Sequence, residues 1–307
     1  MLSKHRYHHI RFGEDIMIVI ENLTQTYKSG KGIFDVSFRV EEGEVYGYLG
    51  PNGAGKTTTI RGILGQMNAD QGTVRIDNMD PRVDTKDVNK ILGYLPGEMT
   101  FFDNYTGTQF LDYICNMRHL EDHSYRQELT ALFELDVNMK IKKMSKGMKQ
   151  KLGIVSAFMH DPDILILDEP TSGLDPLMQN TFLDLILSEK AKGKTILMSS
   201  HIFEEVEKVC DRVGIIKNGR IVAIENLNDT DLEVEDLLVV TLEEENDAIV
   251  SSPLNAKKLH GNQYQISVVN NYPEVLRELS NYPVVKINVK KQTIEELFMK
   301  YYGGDDE

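Results

Sequence analysis

The feature that most restricts what this chain can fold into is the run Gly50-Pro51-Asn52-Gly53-Ala54-Gly55-Lys56-Thr57, set between a strand-like segment and a segment with helical spacing. It fits the pattern G-x-x-x-x-G-K-[ST]. Its glycines let the backbone curl until successive N–H groups point inward, and the helix that follows adds the partial positive charge of its N-terminus. Together these make a cradle for phosphate oxygens. Lys56 is then expected to reach the β- and γ-phosphates and the Thr57 hydroxyl to bind Mg²⁺, with Asn52, Gly53, Ala54, Gly55 and Thr58 completing the cradle. The strand–turn–helix order implies an α/β fold. Alone, the motif marks any P-loop nucleotide binder, kinases and GTPases included.

A second run narrows the choice. Ile164-Leu165-Ile166-Leu167-Asp168-Glu169 is an apolar strand that ends in two carboxylates. A strand apolar on both faces belongs in a parallel sheet covered on both sides. Its tip then lies at the carboxyl edge of the sheet, where ligands bind in such folds. Asp168 is expected to hold Mg²⁺ through water, and Glu169 to orient and deprotonate an attacking water.

Around these runs the pattern is regular. Residues 16–23, 35–40 and 44–49 read as strands, 56–65 as a helix and 72–77 as a short strand. Residues 106–159 read as mainly helical, with Phe110, Leu111, Ile114 and Met117 three or four apart. Helix 176–192, strand 194–199, helix 202–210 and strand 212–217 then alternate in the α/β manner. Residues 226–236 are acidic and turn-rich, as a linker would be. Beyond them strands are expected at 237–242, 264–269 and 284–289, and helices at 273–280 and 293–301, the last with Thr293 and Glu296 as a capping box. The expected organisation is an N-terminal extension over 1–16, a nucleotide-binding domain over 17–225, and a linker with a small α+β domain over 226–307. Residues 1–16 are polar, hold three of the eight histidines and precede Met17. They are expected to be disordered and dispensable, as a translated leader or an ordinary tail.

With 48 acidic against 34 basic side chains the net charge is -14, which repels a phosphate backbone at long range and excludes nucleic acid as a partner. Cys115 and Cys210 lack metal-ligand spacing and read as reduced cytosolic thiols. No apolar run approaches the ~18 residues of a membrane span, so a membrane process would need another chain to cross.

Shortly before the acidic strand stands Met144-Ser145-Lys146-Gly147-Met148-Lys149-Gln150. The Ser145 hydroxyl and the Gly147 N–H at a helix start would make a site for an anion. This run resembles the signature of ABC ATPases, in the Ser-Lys-Gly-Met variant of drug and antibiotic exporters. The resemblance covers about residues 17–225 in motif order and spacing. It implies Ser172-Gly173-Leu174-Asp175 as the D-loop, His201 as the switch histidine acting with Glu169 in catalysis, and Tyr27 as the aromatic that stacks on adenine. A loop tyrosine is often merely packed. Glu295-Glu296-Leu297-Phe298 with Tyr301-Tyr302-Gly303 resembles the tail of exporters that use ABC-2-type permeases.

The resemblance implies a P-loop ABC ATPase core with an antiparallel β-subdomain and a helical insert around 99–160, hydrolysing ATP with Mg²⁺. Ser145 and Gly147 would face the γ-phosphate of ATP held by a second ATPase subunit, the same chain. A separate transmembrane permease would carry the substrate outward and hold this chain at the cytoplasmic face of the membrane. The alternative is an ABC ATPase that energises an importer or a process other than transport. Lysines 140, 142, 143, 146, 149 and 151 read as a solvated basic face.

One position departs from the family pattern. A glutamine is expected in the loop after the strand near residue 93, but Leu95-Pro96-Gly97-Glu98 stands there with Gly97 at the critical place. Glu98 or water would have to substitute. Nearby Phe101, Phe102 and Tyr105 suit either core packing or a groove for a permease helix.

Overall fold

The computed structural model describes residues 16–227, 236–268 and 271–290. Residues 1–15, most of the expected linker, the helix expected at 293–301 and the tail motif lie outside the described residues. The chain divides into two compact units, Met1–Leu227 and Asn228–Glu307.

In the first unit two sheets share one core. Strand β1 (Ile16–Thr26) runs between β2 (Gly32–Glu41) and β4 (Gln71–Ile76), antiparallel to both. Alternation along β2 turns Val36, Phe38 and Val40 inward. They meet Tyr46 and Tyr48 of β3 (Val45–Leu49), and Ile60 and Ile63 of helix α1 (Lys56–Ile63). Phe38 stacks on Tyr46 with ring centroids 5.0 Å apart.

The larger sheet has six strands in the order β5-β6-β7-β3-β8-β9. Here β5 is Leu92–Leu95, β6 Ile164–Asp168, β7 Thr195–Ser200, β8 Arg212–Lys217 and β9 Arg220–Asn226. All neighbours are parallel except β8 and β9. Every residue of β3, β6 and β7 is buried, as the wholly apolar β6 run requires. Strand β9 was absent from the sequence expectation. It joins β8 through Asn218 and Gly219, both at positive φ, the two-residue turn that suits a hairpin.

Helices cover the sheet. They are α2 (Thr85–Ile91), α3 (Gly107–Arg118), α4 (Ser124–Leu132), α5 (Lys146–Phe158), α6 (Pro176–Ala191) and α7 (Phe203–Val209). Thr106 and Gln109 form a reciprocal capping box on α3. Asp175 caps α6, with Pro176 in its first turn. The short α2, like β9, carries too little periodicity to be read from sequence.

The second unit holds β10 (Asp236–Leu242), β11 (Lys257–Lys258), β12 (Gln263–Val268), α8 (Tyr272–Leu279) and β13 (Val284–Lys290). Its four strands form an antiparallel sheet in the order β11-β12-β10-β13. Leu238, Val240, Tyr264 and Ile266 pack with Val275 and Leu279 of α8 as its core. Among the described residues no helix is long and apolar enough to cross a membrane.

Candidate functional site

Because β3, β5, β6 and β7 are parallel, their carboxyl ends emerge at one edge of the sheet. That edge collects four segments far apart in sequence: the glycine-rich turn after β3, Pro96-Gly97 after β5, Asp168-Glu169 at the end of β6 and Ser199-Ser200-His201 at the end of β7. This is where ligands enter open α/β sheets.

The glycine-rich turn is shaped by conformations that only glycine adopts cheaply. Gly55, the residue before α1, has φ 118 and offers no side-chain cap, so the first N–H groups of α1 remain for a ligand. Asn52 and Gly53 are exposed, Ala54 is buried and Thr58 half-buried. Lys56 folds back under the turn. Its buried ammonium donates to the carbonyls of Gly50 at 2.6 Å and Pro51 at 3.2 Å, and pairs with Glu169 Oε1 at 3.2 Å.

The Thr57 hydroxyl donates to Asp168 Oδ2 at 2.8 Å. Asp168 is fully buried, and its other oxygen, Oδ1, accepts from the Ser199 hydroxyl at 2.6 Å. A carboxylate so far from water needs such partners. The next residue, Glu169, sits at φ 49, in the left-handed region. For a residue with a side chain this costs roughly 1–2 kcal/mol and persists only where neighbours fix it. Its N–H donates to Ser199 Oγ at 3.0 Å, and its carbonyl accepts from Ser172 N at 3.1 Å. His201 Nδ1 lies 3.6 Å from Glu169 Oε1. Lys56, Thr57, Asp168, Glu169 and His201, separated by up to 145 positions, thus form one constellation.

Thr57 and Asp168 bring two hard oxygen donors to one point, which suits Mg²⁺. Among the described residues no group of three or more His, Cys, Asp and Glu could hold a metal ion. A Mg²⁺ at Thr57 and Asp168 would therefore take its remaining ligands from phosphate and water, as this ion commonly does. Tyr94, on β5, is pushed up to about 12, first by burial and then by the Asp168 charge.

The signature run lies on another surface. Ser145 caps α5, accepting the Met148 N–H at 3.2 Å, which leaves its own hydroxyl proton to donate. Among the described residues it makes no hydrogen bond to the glycine-rich turn. A Cβ on Gly147 would stand 2.8 Å from the Gly173 carbonyl, so the start of α5 and the 172–175 loop touch backbone to backbone. Lys146 Nζ donates to Ser172 Oγ at 3.1 Å, and buried Gln150 donates to the Pro170 carbonyl at 2.7 Å. Lysines 140, 142, 143 and 146 are exposed, and 149 and 151 half-buried.

Tyr27 is 43% exposed. Gly97 lies directly against Asp168: a Cβ there would be 3.2 Å from Asp168 Oδ2. Glu98 is exposed. The aromatic cluster resolves toward the surface. Phe102 is 49% exposed and meets Tyr105 at 5.1 Å and Tyr113 at 5.5 Å, while Phe101 packs edge-on against Phe110. Sequence reasoning gave no role to Ser199, Gln150 or Tyr94. For Ser199 the available signal was its place two residues before His201 at the end of an apolar strand.

Residues 33–172 match the family model described as "ABC transporter". The ABC transporter ATP-binding protein NatA of Bacillus subtilis is 39% identical over 210 residues, 66% of this chain and 85% of that protein. The uncharacterized ABC transporter ATP-binding protein YdbJ of the same organism is 34% identical over 300 residues, 92% of this chain and 94% of that protein. The structure of the dimeric bacterial ABC transporter cassette MJ0796 superposes with a TM-score of 0.63 at 25% identity, covering 69% of this chain and 99% of that one.

Proposed function

The chain belongs to the ABC transporter family of ATP-binding subunits, and on that premise we propose that two copies of it hydrolyse Mg²⁺-ATP at their shared interface to drive export through a separate ABC-2-type permease. ATP hydrolysis is the activity of the family, whose ATPase subunits work as dimers with a transmembrane partner. The observation that carries the residue-level reading is the constellation at the sheet edge, where Thr57 Oγ1 meets Asp168 Oδ2 at 2.8 Å and Glu169 stands beside both Lys56 and His201.

In this reading residues 50–58 cradle the triphosphate, and the α1 N-terminus with Lys56 offsets its charge. Thr57 and Asp168 would hold Mg²⁺, which would supply neutralisation of phosphate charge. Glu169 accepts the proton of the attacking water, and His201 fixes the far side of the γ-phosphate. Lys56 must first turn from the Glu169 carboxylate toward phosphate, which frees that carboxylate for water. Tyr27 stacks on adenine; its exposure leaves the ring free to do so. Ser145 and Gly147 offer a hydroxyl proton and an N–H to the ATP of the second subunit, and the exposure of this surface supports that role.

Residues 17–225 then form the cassette, and 226–307 a linker and accessory domain. Export is supported by the resemblance of the Ser-Lys-Gly-Met signature to those of drug and antibiotic exporters. The exposed Phe102, Tyr105 and Tyr113 are a fitting contact for a permease helix, which would hold the chain at the cytoplasmic face.

The test is the Glu169→Gln protein. Its turnover is expected to fall roughly 10²–10⁴-fold, the usual worth of a general base, while ATP binding persists and the protein converts from monomer to dimer on adding Mg²⁺-ATP. Wild-type turnover in this variant would sink the role of Glu169. A monomer under both conditions, even with permease present, would sink the paired arrangement.

A further inference from the structure

We infer that Ser199 is a positioning residue for hydrolysis, its one hydroxyl locking both acids of the site into their working orientations. The inference rests on the assignment of Asp168 and Glu169 above.

A serine hydroxyl has one proton to donate and two lone pairs to accept. Ser199 uses both capacities at once: it donates to Asp168 Oδ1 at 2.6 Å and accepts from the Glu169 N–H at 3.0 Å. Serine and aspartate are both inaccessible to solvent, so water cannot stand in for either bond. The parallel register of β6 and β7 aligns Asp168 with Ser199 and thereby brings the hydroxyl to the junction of the two acids.

Each bond fixes a different thing. With Oδ1 held, the Asp168 carboxylate cannot rotate, and Oδ2 stays on Thr57. With its N–H held, Glu169 keeps φ 49, a backbone state that would otherwise relax. The Ser172 N–H on the Glu169 carbonyl closes the other side of the clamp. Relaxation toward the right-handed region would swing the Glu169 side chain away from Lys56 and His201.

The neighbouring serine shows that burial alone does not explain this role. Successive strand side chains point to opposite faces. Ser200 accordingly turns away from the acids and donates to Glu205 Oε2 on α7 at 2.8 Å. Of the adjacent buried hydroxyls, only that of Ser199 reaches the site.

The experiment compares Ser199→Ala, Ser199→Thr, Glu169→Gln and the Ser199→Ala/Glu169→Gln double variant in the full chain. Affinity for a fluorescent ATP analogue with Mg²⁺ and single-turnover hydrolysis are both measured. The inference expects Mg²⁺-analogue affinity and KM to change by no more than a few-fold in Ser199→Ala, through the loosened Asp168, with kcat down roughly 10²-fold, the scale of a misplaced catalytic group. Ser199→Thr, which keeps the hydroxyl, is expected to retain most of the rate. Adding Ser199→Ala to Glu169→Gln is expected to cost clearly less than Ser199→Ala costs alone, because the share that acts through Glu169 is already lost and only the share that acts through Asp168 remains.

Wild-type kcat in a folded Ser199→Ala protein would overturn the inference, as would a full additional loss in the double variant or a Thr variant as slow as the Ala one. If Ser199→Ala does not fold, Ser199→Cys takes its place, filling the same space with a weak hydrogen-bonding group. A fully active Glu169→Gln protein would instead overturn the underlying assignment, which keeps the two failures distinct.

Discussion

Two helices of this protein begin at a candidate anion site, and they are built in opposite ways. Helix α1 starts at Gly55, which has no side chain to cap it, and the surrounding charges are interlocked inside the chain: Lys56 with Glu169, Thr57 with Asp168, Asp168 with Ser199. Helix α5 starts at Ser145, which already caps it, on an exposed surface that touches the 172–175 loop. Helix N-termini attract anions in both places. The first has its oriented groups assembled by one chain; the second, in the function proposed above, meets the ATP of a second subunit.

The contrast breaks most directly at Lys56. Removing a buried cation that faces the phosphate cradle (Lys56→Ala) is expected to weaken ATP binding by the monomer at least ~30-fold, the ~2 kcal/mol scale of a lost charge-assisted hydrogen bond. Equilibrium binding of an ATP analogue measures this, and unchanged affinity would show that the α1 cradle does not rely on its lysine.

A change at α5 should behave differently. Gly147→Ala puts a Cβ 2.8 Å from the Gly173 carbonyl and forces the two loops apart. Binding of ATP to the monomer should be untouched, whereas Mg²⁺-ATP-dependent dimerisation and turnover should fall roughly tenfold, the cost of about 1.4 kcal/mol at an interface. Equal loss of monomer binding would erase the distinction between the two helices.

Gly97→Gln probes the edge of the first site with a smaller step. The added Cβ would be 3.2 Å from Asp168 Oδ2, so the loop must shift a few tenths of an ångström. Thr57, Asp168, phosphate and water can fill an Mg²⁺ shell without a side chain at 97. Turnover is therefore expected to change only a few-fold, on the order of 1 kcal/mol or less in the barrier. A many-fold rise would mean that the native loop restrains the enzyme. A sharp fall in metal affinity in Glu98→Ala would mean that Glu98 had taken the vacant role.

His160 separates stability from catalysis. It follows the far end of α5 and meets the Leu92 carbonyl at 3.0 Å. Burial, helped by the Arg118 charge, brings its pKa down from 6.5 to about 4. Between those values the unfolded chain binds a proton that the folded chain refuses, so stability is full above pH 6.5 and declines as the pH falls toward 4. The loss is about 3 kcal/mol, and turnover at pH 7 is unaffected. Urea unfolding at pH 7 and pH 4.5 measures it. A His160→Gln protein with the same pH dependence would show that another group is responsible.

Local rules made much of this protein readable from its sequence. The run ending at Thr57 and the apolar run ending in Asp168 and Glu169 each carry their chemistry in consecutive residues, and a wholly apolar strand can only be buried on both faces. The amphipathic helices and the alternating core of the second unit were visible for the same reason. Short pieces with weak periodicity, α2 and the edge strand β9, were not.

What only the tertiary structure decided is which distant residues share an atom's width of space. Ser199 is one polar residue in an apolar run until the parallel register of β6 and β7 sets its hydroxyl between Asp168 and Glu169. Gly97 is a missing side chain in the sequence, but in the fold it is a backbone pressed against the Asp168 carboxylate. The aromatic residues after it suited either a core or a surface groove, and packing left Phe102, Tyr105 and Tyr113 at the surface. Sequence patterns record the environment of each residue along its own element, whereas hydrogen bonds between strand ends depend on register and sheet order, which no single element encodes.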